Sequence, residues 1–171
     1  MGYEWDPDKA QASLDKHRID FADAVGVFED DWALTIKETL VNGEQRMATL
    51  GMDFLGRVLV VVYTFRSDDI RLISARPATR GEREPMSERE YSFEQAEQGA
   101  VVQPLPGKTR ITIRIDTDIL YWFRRRVHES GGGNYQTLIN AALREYMRSQ
   151  DGMLEDTLRK VIREELQTIA R

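Results

Sequence analysis

Histidine occurs twice in the chain, and His17 is the one within the first 85 residues. With an ordinary pKa of ~6.5 its imidazole can take or give a proton near neutral pH, which makes it a candidate general acid or base. Between Arg46 and Glu84 seven basic residues stand against five acidic ones, and all seven are arginine. Arg46, Arg57, Arg66, Arg71, Arg76 and Arg80 punctuate short β-branched runs, so several guanidinium groups can converge on one phosphate and bind it with paired hydrogen bonds. Arg76 and Arg80 are the best placed, because the chain between them leaves a strand and enters a helix near Thr79. Losing one such donor from a phosphoryl site costs about 10²–10³ in rate. Glu44, after the Asn42-Gly43 turn, is a second candidate base. The bland readings are a helix-end cap for His17 and solvated outer-face charges for Arg57, Arg66 and Arg71.

A second constellation lies at Arg110 to Asp116, where apolar and polar residues alternate strictly. A strand of that pattern turns Ile111, Ile113 and Ile115 one way and Arg110, Thr112 and Arg114 the other. One strand leaves its backbone groups unpaired, so a second copy must supply the partner. The resulting two-stranded ribbon fits a DNA major groove, where arginine pairs with guanine and threonine can donate, accept or touch a thymine methyl. Asn134, Tyr135 and Gln136 open the second of two following helices, and their free N–H groups suit a phosphate.

The elements that must carry these residues follow from period and punctuation. Asp6-Pro7 starts a helix through about His17. Phe21, Ala24, Val25 and Phe28 share one helical face. Four short strands follow, Ala33 to Val41, Arg46 to Met52, Val58 to Phe65 and Arg71 to Ala75, as an antiparallel meander. Residues 91–107 read as a linker or an extended binding segment, helices flank the Ser130-Gly131-Gly132-Gly133 break, and a last helix runs from Met153 to about Ile169. With 171 residues, 41% hydrophobic and no cysteine, the chain suits one ordinary domain or two small ones in a reducing compartment, without a disulfide framework or thiolate nucleophile. No apolar run is long enough for a membrane span and the charged start lacks a signal-peptide core, which predicts a cytoplasmic protein. The net charge of −5 hides a split: residues 1–45 carry four basic and eleven acidic side chains, whereas 108–148 carry eight basic and four acidic.

Lys108-Thr-Arg-Ile-Thr-Ile-Arg-Ile-Asp116, Trp122-Phe123 and Gly133 to Tyr146 resemble the ribbon-helix-helix part of BrnA-type antitoxins. Glu4-Trp5-Asp6, Lys16-His17, Phe21, Val27-Phe28-Glu29-Asp30, Glu44-Gln-Arg46, Gly56-Arg57 through Tyr63 and Ile73-Ser-Ala-Arg76 resemble BrnT, a family of small RelE-like ribonuclease toxins. Met86 to Phe93 is similar to an antitoxin start. The two resemblances imply an α+β chain, a RelE-like antiparallel sheet with helices followed by a ribbon-helix-helix module. Its divisions would be a toxin domain at 1–85, a joining segment at 86–107, the DNA-binding module at 108–150 and a contact helix at 151–171. They imply RNA cleavage without metal or cofactor, with His17, Glu44, Arg46, Arg76 and Arg80 as site residues. They also imply a homodimer through the ribbon strands that binds operator DNA through Arg110, Thr112 and Arg114. The expectation is a toxin neutralised by its own fused antitoxin, with acidic residues 85–107 either plugging the arginines or forming a plain linker. The other classes are a DNA-binding repressor with an inactive toxin domain and a purely structural assembly module.

Overall fold

A computed structural model describes residues 2–37, 40, 43–83, 96–103 and 106–150. The chain starts with a short strand, β1 (Tyr3–Trp5), and helix α1 (Pro7–His17). Asp6 caps α1 by accepting the N–H groups of Asp8 and Lys9, and Pro7 takes the first helical position, where its missing N–H costs nothing. Arg18 ends α1 in the left-handed conformation, with φ 58°. Asp20 then caps α2 (Phe21–Ala24), which tightens into a 3₁₀ turn over Val25–Glu29. Phe21, Ala22, Ala24, Val25, Val27 and Phe28 are all fully buried.

Strands β2 (Leu34–Lys37), β3 (Met47–Met52), β4 (Val58–Arg66) and β5 (Asp69–Pro77) form the expected meander. The complete sheet differs from the expected antiparallel one. Its order is β1-β5-β4-β3-β2-β6, with β6 at Glu97–Gln98, and β1 runs parallel to β5 with Trp5 opposite Leu72. The sheet is therefore mixed, because β1 enters beside the last meander strand, a long-range pairing with no local signature. Central β4 is buried on both faces, which explains its unbroken apolar run from Val58 to Tyr63. On one face Ala48, Leu50, Val60, Val62 and Ala78 cluster, and on the other Phe28 meets Tyr63 edge to face with centroids 4.8 Å apart.

The sixth strand, β6 (Glu97–Gln98), comes from the segment read as a linker and pairs antiparallel with β2. The N–H of Gly99 continues the contact to the carbonyl of Ala33, and that of Val102 reaches Phe28. A short helix α3 (Arg80–Arg83) follows β5, and helix α4 (Thr117–Glu129) follows an irregular stretch at 106–116. The alternating residues 110–115 therefore form no strand in this single chain. Ile111 and Ile113 are 71% and 60% exposed.

One compact unit extends from the N-terminus to Asn134, so α4 belongs with the sheet. The other begins at Tyr135 and contains helix α5, helical over 135–150, with Leu143, Tyr146 and Met147 exposed. The expected helix from Met153, the Asn42 turn and the Met86–Phe93 segment lie outside the described residues. Among the described residues no helix is long and apolar enough to cross a membrane.

Candidate functional site

Hydrogen bonds and strand register sort the candidate site residues onto two ends of the sheet. Ser13 of α1 donates its hydroxyl to the carbonyl of Ala75, which sets α1 along β5 and brings its C-terminal residue His17 toward the Pro77 end. Arg57, just before β4, donates to the carbonyl of Arg18, the residue after His17. The N–H of Ala78 bonds the carbonyl of Val58. His17, Arg57, Arg76 and Arg80 thus share one end. Glu44 and Arg46 precede β3 at the other, where Met47 pairs with Tyr63 and Tyr63 with Leu72. Four residues of strand, about 13 Å, separate the level of Leu72 from that of Arg76.

Arg76 and Arg80 do not present a matched fork. The guanidinium of Arg76 grips both oxygens of Glu82 at 2.9 and 2.7 Å. Glu82 also accepts the N–H and hydroxyl of Thr79, while its own N–H bonds Thr79 Oγ1. This is a capping box, and the Thr79-x-x-Glu82 spacing was its sequence signal. Burial works against the Glu82 charge, but Arg76 and the two Thr79 donors outweigh it and hold the carboxyl down to about 2. Arg80 is exposed at the start of α3. His17 is half-buried, Glu44 lies 3.6 Å from Arg66, and Nε of Arg46 is buried without a hydrogen-bond partner among the described residues.

Beside His17 stands a network that the sequence reading missed. Asp53, with a fully buried side chain, binds Arg57 at 2.6 Å, and Arg57 reaches Asp23 at 3.1 Å. Arg124 of α4 completes the group by binding both oxygens of Asp23, Nε at 2.9 Å and Nη2 at 2.8 Å. Burial pushes the Asp23 carboxyl pKa up even against these cations. One turn further along α4, His128 lies between Asp20 and Trp5: Nε2 is 2.8 Å from Asp20, and Nδ1 accepts the Trp5 indole N–H at 3.3 Å. At Asp20 burial raises the pKa, but the hydrogen bond and charge of His128, the N–H of Ala22 and the charge of Arg124 bring it below the ordinary range. Asn134 adds a third contact, donating to Glu29 at 2.7 Å.

The acidic N-terminal stretch thus receives the basic helix. Asp20 and Asp23, three apart, face Arg124 and His128, four apart, which is the spacing of one helix face against another. The sequence contains the signal, but only as two patterns a hundred residues apart. The plug expected from residues 85–107 takes a different form. Its described part adds β6 to the β2 edge, about 19 Å across the sheet from β5 and Arg76. Trp5 is in the core, whereas Trp32 is 77% exposed. Arg110, Thr112 and Arg114 are exposed, Asn134 is half-buried, Tyr135 is buried and Gln136 is exposed.

Residues 5–82 match the family model for the ribonuclease toxin BrnT of type II toxin–antitoxin systems, and residues 71–147 match that for the BrnA antitoxin of the same systems. The crystal structure of the Brucella abortus ribonuclease toxin BrnT is similar at 22% identity, covering 46% of this chain and 96% of that one, with a TM-score of 0.35. No curated protein matches.

Proposed function

On the premise that a toxin-family region and an antitoxin-family region stand in one chain, we propose a self-neutralised toxin–antitoxin protein. The N-terminal region is a latent metal-independent endoribonuclease, and the region from 96 to 134 holds it inactive in cis. The observation that carries this reading is the seating of Arg124 on Asp23, beside the Arg57 guanidinium that also bonds the carbonyl next to His17. A helix docked there stands where RNA must approach a histidine acting at the 2′-OH or the leaving oxygen. Arg57, Arg76 and Arg80 are the cations at that end for the scissile phosphate, Arg57 set in place by Asp53 and Asp23 and Arg76 by Glu82; Glu44 and Arg46 would serve only RNA that runs across the sheet.

The second activity is operator binding by a homodimer. Exposed Ile111 and Ile113 need cover, and a second copy pairing through 110–115 supplies it while turning Arg110, Thr112 and Arg114 outward. Asn134, Tyr135 and Gln136 then meet phosphate, and the dimer represses its own transcription in the cytoplasm. The other reading, a repressor whose toxin domain is inactive, is favoured by the Arg76–Glu82 pair, which neutralises a cation the resemblance assigns to catalysis.

The test uses the full chain with Arg124→Glu and His128→Ala together, which sets a carboxylate against Asp23 and removes the Trp5–Asp20 bridge. The parent should leave RNA intact and the undocked variant should cleave it without added metal. Adding His17→Ala should silence the undocked variant. A folded undocked variant that cleaves nothing would leave the regulator reading standing.

A further inference from the structure

Glu29 closes the 3₁₀ turn of the toxin-like region, and its two neighbours of interest both come from the antitoxin-like region. Asn134 donates its side-chain amide to one carboxylate oxygen at 2.7 Å, and the positive charge of Lys108 acts electrostatically on the same carboxylate. Burial raises the Glu29 pKa, while Lys108 and Asn134 act to lower it. The position of Asn134 is built by the backbone before it. Gly131, Gly132 and Gly133 have φ of 75°, 148° and 134°, and the N–H of Trp5 bonds the carbonyl of Gly131 at 3.1 Å. A Cβ on Gly132 would run into the carbonyl oxygen of Tyr3 and Cα of Glu4, so only glycine lets this turn lie against β1.

Lys108 opens the basic stretch and Asn134 directly precedes α5. An amide bonded to an anionic oxygen, with a lysine charge acting on the same group, would suit a nucleic-acid phosphate equally well, since carboxylate and phosphate are both charged acceptors. We propose that Glu29 is a resident competitor for DNA phosphate: it occupies the Asn134 amide and the Lys108 charge in the docked chain, so DNA must displace a toxin carboxylate to use them. This rests on the DNA-binding reading above and deepens it. The coupling is reciprocal, so DNA that takes Lys108 and Asn134 loosens the contact between the two regions by the same factor.

The experiment measures binding of the full chain to a fluorescein-labelled mixed-sequence duplex of about 30 base pairs, by anisotropy over a salt series. Glu29→Gln should bind about 3- to 10-fold more tightly at low salt, with the slope of log K against log salt steeper by about 0.9 as Lys108 gains a phosphate. Asn134→Ala should weaken binding in a Glu29→Ala background, where the resident acceptor is gone, and leave the parent unchanged, because in the parent the amide is already occupied. Equal effects of Asn134→Ala in both backgrounds, or an unchanged affinity and slope for a folded Glu29→Gln chain, would overturn the competitor. If binding needs Arg110 and Arg114 but ignores Glu29, the competitor alone falls. If neither parent nor variants bind the duplex at low salt, the DNA-binding reading falls and takes the competitor with it.

Discussion

Arg114 and Arg124 stand ten residues apart in one basic stretch. The side chain of Arg124 is 22% exposed and its guanidinium grips a carboxylate that is 2% exposed. Arg114 is exposed, in a segment where Ile111 and Ile113 face solvent. The difference follows from where each partner resides. The partner of α4 is Asp20 and Asp23 in the same chain, so that contact closes intramolecularly. Residues 110–115 have the alternation of a strand but pair with no strand among the described residues. On the proposed reading the partner of this segment is a second copy of the chain.

A charge placed within 110–115 tests the proposed ribbon most severely. Burying an isoleucine side chain contributes about 1.5–3 kcal/mol, and a symmetric ribbon buries each position twice. Ile113→Lys should therefore weaken self-association by about 3–6 kcal/mol, enough to turn a dimer into a monomer at micromolar concentration. Its thermal unfolding as a monomer should match the parent monomer, since Ile113 is already 60% exposed. Sedimentation equilibrium with a melting curve checks both halves. A dimer that survives the substitution would remove the second copy as the cover of this segment.

Acid acts on the Arg76–Glu82 pair and on the two carboxylates bound by α4 with signs set by the direction of each pKa shift. Glu82 has its folded pKa below the ordinary glutamate value, so its stabilisation is fully present above about pH 4.5 and is lost as pH falls toward about 2. The loss should be about 3 kcal/mol, and Glu82→Gln should flatten that part of the stability–pH curve. Asp20 has the same sign, held low by His128, whereas raised Asp23 has the opposite sign and gains relative stability as it protonates. Denaturant midpoints across pH 2–6 in the parent and Glu82→Gln check the assignment. An unchanged acid limb in Glu82→Gln would place the transition elsewhere.

What could be read beforehand was what local chemistry dictates. Asp6-Pro7 predicts the start of α1, and the β-branched runs from Val58 and Arg71 fall within β4 and β5. The parallel seat of β1 on β5 and the addition of β6 to β2 were not legible, since each joins distant stretches through backbone groups that every residue has. The same limit governed the site. His17 was found by its type and Arg76 by its position, but the carboxylate that takes Arg76 is six residues on, in a capping box overlooked beside the arginines. The excess of acid in residues 1–45, odd for a surface that meets RNA, makes sense once α4 is seen to lie against it.

The smallest predicted effects give the cleanest control, because two adjacent arginines of α4 differ in what they touch. Arg124 binds a buried carboxylate that is shared with Arg57, so Arg124→Met leaves Asp23 one remaining cation and should cost about 1.5–3 kcal/mol of folding stability. Arg125 reaches Glu129 at 3.5 Å with both side chains more than half exposed. Solvent and salt screen such a pair, and Arg125→Met should cost at most about 0.5 kcal/mol. Both variants remove one positive charge from the same helix, so a change that came only from net charge would be equal in the two. Urea midpoints at low and high salt read the difference directly. A larger loss for Arg124 that persists in high salt places the stabilisation in the desolvated contact with Asp23, whereas equal losses that vanish together would mean that α4 is held by diffuse attraction to an acidic face.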